Sequence, residues 1–288
     1  MDLMAFGGPA GPCYAQKVGW LRPTTVLSVS AGSARNTSTD QAAVYQGLAA
    51  RDGYAWKAMC EKAKIAPADL GSLGIGGFSA FHGFGNAFLK NDEDLKRCCY
   101  AHLADACFQG AGATTPHAGY LAFAKQAVTG SKLMTVTTNG PWGKALSYSW
   151  TYPEGDTVKF NLTSGAQCFE LVWNAAVGAG INVAVPEIPA GVPQPTKAMR
   201  VGNLIWCHYE QMTRGLAAPC GGEYSQHGWH VVALATPFMQ HYGAPWMAGK
   251  TAGLTSGLGV DSDTAKQLVA VGIAALLGWF IWRRFRRS

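Results

Sequence analysis

Residues 73–83 read LGIGGFSAFHG. The first six are small or apolar and read as a buried strand that ends at Phe78. Residues 80–89 have helical composition, so Ser79 falls on the turn between strand and helix. A turn that sharp needs small neighbours, and Gly76, Gly77 and Ala80 supply them. The Ser79 hydroxyl then stands above the sheet at the N-terminus of the next helix. There the backbone N–H of Ala80 points toward any negative charge that develops on an attacked carbonyl. A second donor is expected from the loop after the first strand, near Ala31, Gly32 or Ser33.

Working outward, the same alternation recurs. Residues 24–30 (TTVLSVS) read as a buried strand and residues 41–64 as helix. Residues 100–107 form another short apolar run, 120–128 look helical, and 132–138 (KLMTVTT) read as a strand stopped by Asn139-Gly140. Residues 166–175 (AQCFELVWNA) and 201–209 (VGNLIWCHY) read as further strands, and residues 230–242 as a helix. Strands alternating with helices favour a mostly parallel sheet flanked by helices, an α/β fold.

Composition narrows the function. The 288 residues are 48% hydrophobic and only 14% charged, with 36 glycines, which fits a globular chain with many tight loops. Net charge is +6, but Arg283, Arg284, Arg286 and Arg287 alone supply +4. The remaining +2 gives no basic stripe, so nucleic acid is not an expected partner. The eight cysteines (13, 60, 98, 99, 107, 168, 207 and 220) include no CxxC pair, which argues against a zinc knuckle. They read as buried reduced thiols. Residues 1–17 lack a basic segment followed by an apolar core and do not read as a signal peptide.

Gly77-Phe78-Ser79-Ala80 fills the first four places of a G-x-S-x-G nucleophile elbow, and on these residues the chain resembles the α/β-hydrolase superfamily. Phe81 stands at the fifth place, where the pattern has Gly, and Gly83 comes two places later. The likeness runs in order through residues 24–242. It implies a nucleophile, an acid and a histidine in that order along the chain. Ser79 would be the nucleophile. Asp105, in the first strand-like run after it, is the preferred acid; the usual place, one strand later, offers Asn139. The histidine belongs on the loop after the last strand, where His230 ranks first, His227 second and His241 third. Ala80, the Gly32 loop and His82 would line the oxyanion site. No metal or organic cofactor is implied.

Other groupings of residues point to different chemistry. His82, His117 and Asp105 together would make a metal site, although their spacing matches no ligand motif. Cys107 lacks a histidine placed beside it by any recognisable pattern. Residues 141–200 read as an insertion, in which Trp142, Tyr148, Trp150 and Tyr152 line a groove or pack a core.

At the other end, residues 268–282 carry no charge and are apolar on every side. Spanning a bilayer takes about 17–20 such residues, and Lys266 and Arg283 extend the run by snorkelling. Trp279 and Trp282 fit an interfacial belt, and the four arginines suit an anionic leaflet. Residues 243–264 are rich in Gly, Ser and Thr and read as a flexible tether. The expected organisation is a hydrolase-like domain over residues 1–242, the tether, and a transmembrane helix with a basic tail over residues 265–288. The lack of a leader favours a tail-anchored protein with its domain in the cytoplasm. The arginine cluster, which prefers the inside, favours the opposite side, but that rule is weak for long domains, so the domain is expected in the cytoplasm.

The expected function is a membrane-anchored serine hydrolase of esterase, lipase or amidase type, whose partners are the lipid bilayer and an ester or amide substrate. Two other functions fit the same residues. One is a catalytically inactive component of a membrane-associated or virion assembly; the other is a glycan-binding module.

Overall fold

The computed structural model describes residues 1–7, 24–29, 37–139, 145–151, 157–210 and 234–256. Its centre is a seven-stranded sheet. In chain order the strands are β1 (Asp2–Gly7), β2 (Thr24–Val29), β3 (Leu73–Phe78), β4 (Cys98–Ala104), β5 (Leu133–Asn139), β8 (Lys197–Val201) and β9 (Leu204–Tyr209). Across the sheet they run β2-β1-β3-β4-β5-β9-β8. Every pairing is parallel except β8 with β9, an antiparallel edge hairpin. The expected mostly parallel α/β sheet is therefore present.

Side chains alternate across the strands and feed two cores. Leu3, Ala5, Leu73, Ile75, Ala101, Leu103, Met134, Val136, Leu204 and Trp206 face one side. That side is covered by α1 (Ser38–Ala49), α2 (Trp56–Lys62), α3 (His82–Lys90), α5 (Ala118–Val128) and α6 (Gly165–Ala176). The short α4 (Asp92–Arg97) leads into β4. Met4, Phe6, Tyr100, Leu133, Ile205 and Cys207 face the other side, where Leu234, Phe238, Met239 and Met247 cover them. Burial on both faces explains why these strands read as continuous apolar runs.

Local chemistry sets the helix ends. Thr37 and Asp40 form a reciprocal capping box at the start of α1. Asn91 caps α4, and the buried Asp94 carboxylate accepts from Ala55 N (2.9 Å), Trp56 N (2.8 Å) and the Tyr45 hydroxyl (3.0 Å). One carboxylate thus caps α2 and ties it to α1 and α4. Burial raises the Asp94 carboxyl above its ordinary value, and the hydrogen bonds offset part of that shift.

Several expectations change. Residues 166–175 are not a strand: they lie in helix α6, capped by Ser164, with Cys168, Phe169, Val172 and Trp173 buried at helical spacing. Aromatic and apolar content had suggested a strand, but the three-and-four spacing decides otherwise. The helix expected over residues 41–64 is two helices, interrupted where Gly53 takes a φ of 77°. Strand β1 comes before the one expected to be first. The insertion contains a separate hairpin, β6 (Ala145–Thr151) with β7 (Thr157–Thr163). Tyr148 and Trp150 lie on β6, while Trp142 and Tyr152 lie outside the described residues.

The helix expected at residues 230–242 is present in its described part and continues past it. It comprises α7 (Thr236–Phe238), a π-helical turn (Met239–Gly243) and α8 (Ala244–Ser256). Part of the expected tether is therefore helical. Met247 is fully buried, and Trp246 Nε1–H donates to Cys99 O at 2.9 Å. Among the described residues no helix is long and apolar enough to cross a membrane. The expected span at residues 265–288 lies outside them.

Candidate active site

Strand order reverses between β1 and β3, because β2 lies on the far side of β1 and β4 on the far side of β3. In doubly wound sheets ligands bind at such a switch point, beyond the carboxyl ends of the strands. Ser79 directly follows β3 at this end. Its φ is 52°, a left-handed conformation that is uncommon for a residue with a side chain. A 3₁₀ turn (Ser79–Phe81) and then α3 continue from it, so the strand–turn–helix context expected around Ser79 is present. The Ala80 N–H lies in the first turn, where helical N–H groups lack an intrahelical acceptor.

Phe81, the departure from the elbow pattern, is fully buried and stacks on Phe84 with ring centroids 5.5 Å apart. Its ring fills the space left by three glycines. A Cβ on Gly77 would lie 2.1 Å from Phe81 Cγ, one on Gly7 2.7 Å from Cδ2, and one on Gly85 2.9 Å from Cε1. The bulky residue is thus accommodated beneath the turn by missing side chains around it.

His82 Nδ1–H donates back to the Ser79 carbonyl at 3.0 Å and holds the turn closed. Burial pushes the His82 imidazole down to about 4, although the bond to Ser79 pulls the other way.

Asp105 mirrors Ser79 on the neighbouring strand. Phe78 and Ala104 are registered partners, so Ser79 and Asp105 leave the sheet at one level. Asp105 is also left-handed, with φ 45°, and is 3% exposed. Its N–H donates to Thr137 O at 2.7 Å, and its Oδ1 accepts from Asn139 N at 3.1 Å. A Cβ on Gly165 would fall 2.0 Å from Oδ1, so the carboxylate rests directly on the start of α6. Asn139, the alternative acid position, supplies a backbone donor to Asp105.

His208, on β9, was not singled out from the sequence. It is buried, and its Nδ1 bonds Thr138 Oγ1 at 3.0 Å. Burial lowers its pKa, while the charge of Asp105 works in the opposite direction. The signal for it lay in register: His208 pairs with Thr138, one residue before the Asn139 that bonds Asp105.

The preferred histidines, His227 and His230, lie outside the described residues, as does Gly32. Tyr209, the last residue of β9, lies at the carboxyl end of the sheet, the end at which Ser79 and Asp105 also leave it. His241 sits in the π-helical turn near Glu187, with its Nε2 3.7 Å from that carboxylate.

The metal grouping weighed from sequence is replaced by another. Among the described residues, the three donors brought within 4.8 Å of one another are Cys107, His117 and Cys168. The His82 and His117 ring centroids lie 5.9 Å apart. No family model matches the chain, and no curated protein matches it.

Proposed function

We propose that the chain is a membrane-tethered serine hydrolase with Ser79 as its nucleophile. The observation that carries this reading is the left-handed Ser79 between β3 and a helix, at the switch point of the sheet. Backbone strain at a nucleophilic residue has a cost of about 1–3 kcal/mol and persists only where the surroundings impose it. Here Phe81 packing and the His82 bond impose it.

In this mechanism Ser79 Oγ attacks the carbonyl carbon of an ester or amide. His230, or His227 beside it, takes the hydroxyl proton and then gives it to the leaving group. Asp105 fixes the tautomer of that histidine and stabilises its charged form. The N–H of Ala80 and a donor from the Gly32 loop hold the oxyanion. Water then hydrolyses the acyl-enzyme by the same proton transfers in reverse. The apolar span within residues 265–288 would keep this chemistry at a bilayer. Lipids, lipid-linked precursors and cell-wall esters or amides are the substrate classes within reach.

A fluorophosphonate probe tests the assignment. Wild type should label stoichiometrically, and Ser79→Ala should lose the label while keeping its circular dichroism. A folded wild type that takes no label, or a Ser79→Ala variant that still takes it, overturns the proposal.

A further inference from the structure

We propose that Cys107 and Cys168 are joined by a disulfide that staples the segment carrying Asp105 to the first turn of α6. Both are free thiols in the structure, with sulfurs 2.7 Å apart, inside the roughly 3.5–4.0 Å of ordinary nonbonded carbon contacts and within an ångström of the about 2.05 Å of a disulfide bond. Both residues are fully buried. Cys107 is two residues past Asp105, and Cys168 is three past Gly165, against which the Asp105 carboxylate rests.

The backbone brings the two together before any bond forms. Gln109 N donates to Thr163 Oγ1 (3.0 Å), Thr163 N to Gln109 O (2.9 Å) and Ala111 N to Asn161 O (3.1 Å). Residues 109–111 are thus zipped to the end of β7, and α6 begins directly after it. The Tyr120 hydroxyl donates to Ala106 O (3.1 Å) and His117 Nε2–H to Phe108 O (2.9 Å). Those bonds pin the backbone on both sides of Cys107.

His117 fits the chemistry. With Nε2–H committed to Phe108, its remaining nitrogen is the one left to act as a base. The oxidant is a small-molecule disulfide of the glutathione class. Cys168, exposed before α6 packs, loses its proton to solvent and attacks one of its sulfurs as the thiolate, forming a mixed disulfide and expelling one thiolate, which takes up a proton from solvent. Cys107, giving its proton to His117, attacks Cys168 Sγ and expels the second. Two protein thiols are oxidised and one disulfide is reduced to two thiols. Exchange belongs to folding, before α6 seals both sulfurs.

A metal suits the geometry less well. A tetrahedral zinc with bonds of about 2.3 Å holds two thiolate sulfurs about 3.7 Å apart. The sulfurs here would have to separate by roughly an ångström, and only three ligand atoms converge among the described residues. A lasting disulfide implies a non-reducing compartment, and so departs from the cytoplasmic placement and the reduced thiols expected from the sequence.

The test is a peptide map of the full chain, refolded in a glutathione redox couple, denatured without reductant and treated with N-ethylmaleimide. The expected result is one linked peptide pair, Cys107 to Cys168, lighter by two hydrogens than its reduced form and present also in Ser79→Ala. Maleimide on both cysteines of the unreduced protein overturns the proposal, whether or not stoichiometric zinc accompanies it. Reductant should lower the urea midpoint of wild type and leave that of Cys168→Ser unchanged. An equal response in both proteins also overturns it.

Discussion

Ser79 and Asp105 leave neighbouring strands at the same register, and both adopt a left-handed backbone, yet they are held in different ways. Ser79 is held locally: His82, three residues on, bonds its carbonyl, and Phe81, two residues on, packs beneath it. Asp105 is held by distant chain: Thr137 and Asn139 from β5, and Gly165 from α6. A locally held turn should answer to substitutions within its own segment. A turn held from a distance should answer to substitutions sixty residues away.

The sharpest way to break the comparison is Phe81→Gly, which restores the fifth place of the elbow pattern. If the turn depended on backbone pattern alone, this change would be harmless. Because the ring fills the space between Gly7, Gly77 and Gly85, its removal leaves a cavity and should cost about 3–5 kcal/mol. Urea unfolding monitored by far-UV circular dichroism measures it, and a loss below about 1 kcal/mol would show that the ring does not support the turn.

At the other turn, Gly165→Ala should cost about 1–3 kcal/mol, since the new methyl would meet the Asp105 carboxylate or force it off α6. In the proposed enzyme it should also slow fluorophosphonate labelling, although residue 165 lies far from Ser79 in sequence. Unchanged unfolding would mean that α6 shifts freely and does not set the position of Asp105.

The same distinction explains what was legible in the sequence. Strand β3, the turn at Ser79 and the helix after it are set within eighteen consecutive residues, 73–90, and their pattern was readable. Asp105 was read inside a strand-like run over residues 100–107, whereas the strand ends at Ala104 and Asp105 follows it; its supports were not legible, because Gly165 and Asn139 reach it only through the fold. His208 was missed for that reason: nothing in VGNLIWCHY shows which residue of another strand will lie opposite. The Cys107–His117–Cys168 cluster assembles from three separate segments, so no spacing rule could reveal it. Helix α6 was misread because aromatic content was given more weight than the spacing of Cys168, Phe169, Val172 and Trp173. Strand β1, which lies inside the sheet between β2 and β3, escaped because no preceding element sets the alternation there.

Titration gives the smallest expected effect and separates the two turns by pH. His82 is held near 4 in the folded chain, against an ordinary value of 6.5. Below 6.5 the unfolded chain therefore binds a proton that the folded chain refuses. The His82 contribution is fully present above pH 6.5 and is lost as pH falls toward 4. Over the single unit from pH 6.5 to 5.5 the loss is at most about 1.4 kcal/mol. His117, whose ring lies nearest, is shifted upward and pulls in the opposite direction, so the quantity to measure is a difference. Wild type should lose more stability than His82→Asn across this interval, because the asparagine can still donate to the Ser79 carbonyl but cannot titrate. Parallel curves for the two proteins would mean that the His82 imidazole is solvated and that folding does not lower its pKa.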